Sequence, residues 1–286
     1  MTDAKIPFKS ALIVCRPGPR IGDYARRIAN FLIDRKIEVY ATPDSCPALS
    51  EFIIESQIHE LEPDFVVTVG GDGTVLYTLS KLKRRDIPLF CINRGSFGFM
   101  TETDLDNAIP VLEKVLSGNY WIDEAMNLSS GFGDQIFADA QNEVMVHSAK
   151  PGKIMTFDIF LDSVLIERGR ADGVIISTPT GSTAYALSAG GSILDPRLNA
   201  IIVVPICSPL LELRPIVVPG DSSIEIKITK PHGEGLVVID GQVSYNIPPL
   251  STVWIKKSKI KTRFIRSVTT FYDRFRTKIT REDDNL

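Results

Sequence analysis

Val66-Val67-Thr68-Val69-Gly70-Gly71-Asp72-Gly73-Thr74 decides the fold, because a run of apolar, mostly β-branched residues stops at a glycine cluster and opens into a segment, residues 74–84, with helical patterning. The same rhythm extends to both sides. Residues 11–15 are a short apolar run ended by Arg16-Pro17-Gly18-Pro19, and Ile21, Ala25, Ile28 and Leu32 then recur at helical spacing up to Arg35-Lys36. Residues 37–42 and 87–92 read as further buried strands and 104–116 as a helix. Strands alternating with helices predict a parallel sheet covered on both faces, an α/β domain of Rossmann-like type.

After about residue 122 the period changes from helical to two. Met155, Phe157, Ile159 and Leu161 alternate with Thr156 and Asp158, and Ile224, Ile226 and Ile228 alternate with Glu225 and Lys227. Residues 233–240, 252–257 and 259–266 continue the pattern, and only 182–189 could form a short helix. Two layers of antiparallel sheet, a β-sandwich-like domain, satisfy this pattern. The expected division is an α/β nucleotide-binding domain at 1–122, with 267–286 packing back on it, and a β-rich domain at 123–266. A chain of 286 residues accommodates two domains of ~150 residues each.

Composition narrows the class of protein. With 44% hydrophobic and 23% charged residues, the chain is neither a disordered polymer nor a fibrous repeat. The longest apolar run, within 198–211, is interrupted by Asn199, Pro205 and Ser208 and falls short of the ~20 residues that span a bilayer, so no membrane partner is expected. The start, Met1-Thr2-Asp3-Ala4-Lys5 with Pro7 and Lys9, has no apolar signal core, which makes the expected compartment cytoplasmic. Cys15, Cys46, Cys91 and Cys207 have no paired spacing and the three histidines are scattered, so the expectation is reduced, mostly buried thiols and no zinc. Nine Lys or Arg residues against Asp273 give residues 256–278 a local charge of +8, within a chain of net charge −3. Lys259, Lys261 and Arg263 alternate with Ile260, Thr262 and Phe264, which reads as the solvent face of a strand that could also attract a polyanionic substrate; no nucleic acid is expected.

The glycine junction suits phosphate binding, since glycine permits positive φ and close approach while N–H groups at a helix start favour an anion. Gly70, Gly71, Gly73 and Thr74 form that loop, and Asp72 inside it would repel phosphate unless it holds a metal ion or accepts a proton. Asp72 is therefore the catalytic candidate, although a tight turn with a helix-capping Asp would use the same residues. Asn93-Arg94-Gly95-Ser96-Phe97-Gly98-Phe99 follows the next strand and faces the same sheet edge, where ligands bind in open α/β folds. Ala138-Asp139-Ala140-Gln141-Asn142-Glu143 carries amide and carboxylate groups able to grip vicinal hydroxyls of a ribose, or simply to form a surface turn. The stretch Asp172-Gly173-Val174-Ile175-Ile176-Ser177-Thr178-Pro179-Thr180-Gly181-Ser182-Thr183-Ala184-Tyr185 is a buried strand opening into a loop of hydroxyls and glycine. Such a loop offers hydrogen bonds to a planar polar ligand, with Tyr185 supplying stacking area.

Gly70-Gly71-Asp72-Gly73-Thr74, Asn142-Glu143 and the run 172–191, in this order and spacing, together with Pro215-Ile216-Val217-Val218-Pro219 and Asp240-Gly241-Gln242, resemble the NAD kinase family over most of the chain. The resemblance implies ATP-dependent phosphorylation of the adenosine ribose 2′-hydroxyl of NAD to give NADP, with Mg2+ or another divalent cation whose ligands stay unassigned, and a homodimer or homotetramer. It implies Asp72 as general base with Gly73 beside the dinucleotide, Asn142 and Glu143 as the ribose-binding pair, and further NAD contacts from Lys153, Arg170 and Asp172. Thr183, Ala184, Tyr185 and Ser188 match the adenine-side segment, and Gln242 matches a glutamine near the dinucleotide. Ala186, Phe97, Met100 and the run 207–212 depart from the usual pattern. Lipid kinases of the diacylglycerol and sphingosine type share Gly-Gly-Asp-Gly but are expected to follow it with Gly-Thr-x-Asn-Asp, where this chain has Asn93 to Phe99. A non-catalytic NAD(P) sensor is the other alternative, against which the presence of Asp72 speaks. Polyphosphate in place of ATP is left open.

Overall fold

A computed structural model of the chain describes residues 8–16, 20–52, 54, 56–95, 98–150, 152–209, 213–230 and 233–279. Ser96 and Phe97 of the second glycine loop, Pro17-Gly18-Pro19, and Leu210-Leu211-Glu212 of the departing segment lie outside the described residues.

In chain order the elements are β1 (Ser10–Cys15), α1 (Ile21–Ile33), β2 (Glu38–Tyr40), β3 (Phe65–Gly70), α2 (Asp72–Lys81), β4 (Leu89–Asn93), β5 (Thr103–Asp104) and α3 (Ala108–Leu116). Next come β6 (Trp121–Phe132), β7 (Gln135–Ile136), β8 (Glu143–Ser148), β9 (Met155–Leu161), β10 (Val164–Ala171), β11 (Gly173–Ser177), α4 (Tyr185–Ser188) and β12 (Ala200–Ile206). The chain finishes with β13 (Ile216–Pro219), β14 (Ile224–Ile228), β15 (Gly235–Ile239), β16 (Val243–Ile247), β17 (Thr252–Arg266) and α5 (Phe271–Ile279). The chain divides into two compact units, residues 1–124 with 262–286, and residues 125–261.

In the first unit the parallel order is β2-β1-β3-β4, continued by the C-terminal end of β17 beside β4. All six residues of β3 are buried, as both faces of a parallel sheet must be when helices cover them. Helix α1 buries Ile21, Ala25, Ile28, Ala29 and Leu32, a stripe at three- and four-residue spacing, against Ile13, Val67 and Phe90 of the sheet core. Strand order reverses between β1 and β3, so their C-terminal ends flank the crevice where open α/β sheets bind ligands.

The second unit is antiparallel. One sheet runs β13-β12-β11-β8-β15-β16, and the other pairs β10, β9, β14 and the first half of β17. Inward residues of both sheets, among them Val144, Val146, Val174 and Ile176 on one side and Phe157, Ile159, Ile226 and Val253 on the other, form a single core. Period-two alternation produces this directly, because every second side chain faces the opposite sheet.

Three details differ from the sequence expectation. Helix α2 begins at Asp72 instead of Thr74, because Gly71 is extended at the N-cap and lets the helix start at once. Residues 252–266 are one continuous strand. Cys15 and Cys46, both buried, form a disulfide across a sequence separation of 31, which corrects the expectation of four reduced thiols. The fold causes the pairing: the turn at 42–46 lies on the end of β1, where the Cys15 N–H donates to the Ser45 carbonyl at 2.8 Å. Cys91 and Cys207 are free, and burial pushes the Cys91 thiol up to about 12. Of the basic stretch, Lys256, Lys259, Lys261 and Arg263 are exposed as expected, whereas Arg266 and Arg274 are buried. Among the described residues no helix is long and apolar enough to cross a membrane.

Candidate active site

The glycine junction of the first unit closes β3 and opens α2. None of Gly70, Gly71 and Gly73 has positive φ, and of the three only Gly70 has no room for a side chain. A Cβ on Gly70 would collide with the Thr74 hydroxyl, which is itself buried without a hydrogen-bond partner. Asp72, the first residue of the helix, does not point into open space. Its carboxylate accepts from the Phe99 N–H at 2.9 Å and the Met100 N–H at 3.0 Å, which fixes it against the loop after β4. Gly98 is required by that contact, since a Cβ there would run into Asp72 Oδ1.

Arg16 was overlooked by the sequence reading, which used it only to end β1. Its N–H donates to the Val69 carbonyl, and its guanidinium approaches Gly73, where Nη1 lies 3.7 Å from the position of an added Cβ. A cation beside the first turn of α2, at the reversal of strand order, is suited to phosphate oxygens. Position after a first parallel strand was the available signal.

In the second unit Asn142 and Glu143 stand at the start of β8. The Asn142 carbonyl accepts from the Thr178 N–H at 2.8 Å and the Ser177 hydroxyl at 3.0 Å, and the Gln141 carbonyl accepts from the Thr178 hydroxyl at 2.7 Å. Gly181 packs so closely on the Asn142 backbone that no Cβ fits. Asp240, just after β15, accepts from the N–H groups of Gln141, Asn142 and Glu143. Gln242 reaches the Asp240 carbonyl at 3.4 Å. Burial, and then the charge of Asp240, push the Glu143 carboxyl up to about 8.

The hydroxyls of the 177–183 loop are mostly committed to the fold. Ser182 donates to the Pro179 carbonyl and accepts from the Leu194 N–H, and Thr183 donates to the Thr180 carbonyl. Tyr185, 44% exposed, and Ser188, also exposed, present the remaining contact surface of that segment. By contrast, Gln141 Oε1 and Nε2, Asn142 Oδ1 and Glu143 Oε2 are buried with no hydrogen-bond partner.

Lys153, Arg170 and Asp172 do not join this cluster. In the register of β8 with β11, Glu143 lies opposite Ser177 and His147 opposite Gly173, so Asp172 sits beyond the other end, about 13 Å or more along the strand. Thr156 pairs with Arg170 there, and Lys153 lines a cavity of ≈ 330 Å³ together with Lys150, Thr156, Lys230 and Glu234.

Among the described residues no three His, Cys, Asp or Glu side chains converge on a point that could hold a metal ion. Magnesium carried on substrate phosphates keeps several waters and needs few protein ligands, a mode of binding that requires no such cluster.

A parallel sheet with Gly-Gly-Asp-Gly at its crevice, followed in the chain by an antiparallel sandwich with an Asn-Glu turn, defines a nucleotide-binding phosphotransferase. Residues 11–120 match the ATP-NAD kinase N-terminal domain and residues 141–267 the ATP-NAD kinase C-terminal domain, and the chain belongs to this family. It is 38% identical to an NAD kinase of Methanothermobacter thermautotrophicus over 260 residues, covering 90% of this chain and 91% of that protein. Identity to an NAD kinase of Methanosarcina acetivorans is 41% over 246 residues, 85% and 89% of the two chains. Among solved structures, an Archaeoglobus fulgidus NAD kinase in complex with ATP superposes with a TM-score of 0.79 at 31% identity, covering 94% of this chain and 98% of that one. Yeast NADH kinase complexed with NADH shares the fold, with a TM-score of 0.87 at 24% identity over 98% and 89% of the chains. These matches set aside the lipid-kinase alternative.

Proposed function

We infer that this chain transfers the terminal phosphate of ATP to the adenosine ribose 2′-hydroxyl of NAD, giving NADP, with Asp72 aligning the hydroxyl and Asn142 and Glu143 holding the ribose. The observation that carries the assignment of the ribose is the set of unpartnered buried polar atoms on Gln141, Asn142 and Glu143. Each such atom costs about 1–3 kcal/mol of uncompensated desolvation, which a ligand carrying vicinal hydroxyls removes. Asn142 offers an acceptor through Oδ1, while Glu143, protonated at neutral pH, offers a donor.

Phosphoryl transfer passes through a largely dissociative transition state in most analyses, so the nucleophile needs alignment more than early deprotonation. Asp72, held by two backbone N–H groups, is built for alignment: its carboxylate is fixed before the hydroxyl arrives and accepts its proton late. Arg16 and the first turn of α2 receive phosphate oxygens. Gly73 and Gln242 lie beside the dinucleotide, Tyr185 stacks on its adenine side, and Thr183, Ala184 and Ser188 line that side through backbone and exposed groups. Lys153, Arg170 and Asp172, toward the far end of β8 and β11, make further dinucleotide contacts, some of them across a subunit interface, and a homodimer or homotetramer is part of the proposal. The cation accompanies ATP and neutralises its phosphates when bound. Cytoplasmic location completes the reading.

The test is a coupled assay for NADP with purified protein, NAD, ATP and magnesium, with NADH and polyphosphate as parallel substrates. NADP formation that requires ATP and magnesium is expected. NAD binding without NADP formation would overturn the reading in favour of a dinucleotide sensor.

A further inference from the structure

We propose that Asp240 is a positioning residue for the reaction: its carboxylate holds Gln141, Asn142 and Glu143 in the one backbone shape that presents their side chains to the ribose. The proposal rests on the reading of Asn142 and Glu143 as the ribose-binding pair. Asp240 lies 97 to 99 residues away in sequence, yet Oδ2 accepts from the Gln141 N–H at 2.7 Å, and Oδ1 accepts from the N–H groups of Asn142 at 2.8 Å and Glu143 at 3.0 Å. Its own N–H returns a bond to the Glu143 carbonyl at 3.1 Å. Three successive N–H groups thus converge on one carboxylate, which ties the backbone of residues 141–143 to the end of β15. Asp240 is 5% exposed, so these donors stand in for the water that it has lost.

The local turn does not require the charge. Asp240 and Gly241, with φ of 51° and 66°, are the two left-handed central residues of the turn that the Gln242 N–H closes onto the Ile239 carbonyl at 2.8 Å, within the three-residue link from β15 to β16, a place where Asn-Gly serves as well as Asp-Gly. The carboxylate is therefore explained by residues 141–143 and not by the hairpin. It also acts on Glu143 through space. Of the strands flanking β8, β11 places Ser177 opposite Glu143 and β15 brings Ile239 and Asp240 beside it, and Asp240 is the charged group that acts on Glu143. Its negative charge adds to burial in keeping the proton on Glu143, so one side chain fixes both the shape of the turn and the donor that it presents.

The experiment is steady-state kinetics of Asp240→Asn in the full-length chain as a function of pH, with NAD and ATP varied separately. Asn-Gly preserves the hairpin, but the amide oxygen cannot replace both carboxylate oxygens, and its NH2 opposes an N–H donor. KM for NAD should rise by roughly tenfold or more while KM for ATP changes by less than about twofold. The limb of kcat/KM for NAD that reports Glu143 should move to lower pH by about one unit. A lowered melting temperature with KM for NAD and the pH limb unchanged would mark Asp240 as merely structural and overturn the proposal. Asn142→Ala, measured in parallel, separates the two layers: if it too leaves KM for NAD unchanged, the ribose reading itself fails. Should Asp240→Asn not fold, Glu143→Gln decides the matter, because persistence of the limb near 8 in that variant would remove Glu143, and with it the action of Asp240, from substrate binding.

Discussion

Arg266 and Glu102 form an ion pair at 3.5 Å with 3% and 0% of their side chains exposed, one peptide away from the carboxylate of Asp72. Arg266 Nη1 also donates to the carbonyls of Met100 at 3.0 Å and Thr101 at 3.2 Å, and the Met100 N–H donates to Asp72. Glu102 in turn accepts from the N–H groups of Ser267, Val268 and Thr269, the residues leading into α5. The proposed catalytic carboxylate is thus held by a loop that a buried charge pair holds.

Breaking that pair from one side should be severe. Arg266→Met leaves Glu102 buried with its charge only partly compensated, a loss of about 3–5 kcal/mol in urea unfolding. Glu102→Gln should be comparable, because Arg266 and Arg274 then face each other without it; burial first and Arg266 second already push Arg274 down to about 10. Loss of under about 1 kcal/mol in both variants would show that the pair is dispensable.

Asp72→Asn should lower turnover by roughly 10²–10⁴-fold with a smaller effect on NAD affinity, as an aligning base requires. The substitution also disturbs the loop, since one amide oxygen replaces two acceptors for Phe99 and Met100. Gly98→Ala separates the effects by displacing an intact Asp72, and misplacement on that scale costs about 10²-fold in kcat. Stopped-assay turnover at saturating NAD and ATP measures both. Wild-type turnover in Asp72→Asn would remove Asp72 from catalysis.

Much of this architecture was legible in sequence, and the parts that were not share a physical cause. The unit Phe65–Gly70 followed by α2 was readable because a buried parallel strand is apolar at every position and glycine marks where it stops. The sandwich was readable from residues such as Met155, Phe157 and Ile159, whose alternation is set by one local rule. Arg266 was not, because in Arg263-Phe264-Ile265-Arg266 a buried arginine has the same spacing as a solvated one. Asp240 stood in the sequence only as the end of the alternating segment 233–240 and within Asp240-Gly241-Gln242, because its partners at 141–143 are joined to it only by the fold. Of the proposed site residues, Asn142 and Glu143 are bound by Asp240, whose carbonyl Gln242 reaches, whereas Arg170 and Asp172 lie toward the other end of the strands, a division that depends on strand register and on nothing local.

The disulfide should contribute measurably to stability. Closing a loop with a sequence separation of 31 is worth about 3–4 kcal/mol through the unfolded chain. Dithiothreitol, or the paired change Cys15→Ser with Cys46→Ser, should lower the melting temperature while Cys207→Ser leaves it in place. Equal melting temperatures with and without reductant, in protein whose thiol count shows that the bond was broken, would contradict this.

Stability of the ligand-free protein should fall as pH rises through neutrality. Glu143 has its carboxyl raised from 4.5 to about 8 in the fold, chiefly by burial and then by Asp240. The folded state therefore binds a proton that the unfolded chain has released, and the sign follows: the stabilising contribution is fully present below about 4.5 and is lost as pH rises to about 8. Glu143→Gln, which cannot ionise, should flatten melting temperature against pH across that window. Parallel curves for the wild type and Glu143→Gln from pH 5 to 8 would show that Glu143 is ionised in the fold, and would take from the ribose site its proposed donor.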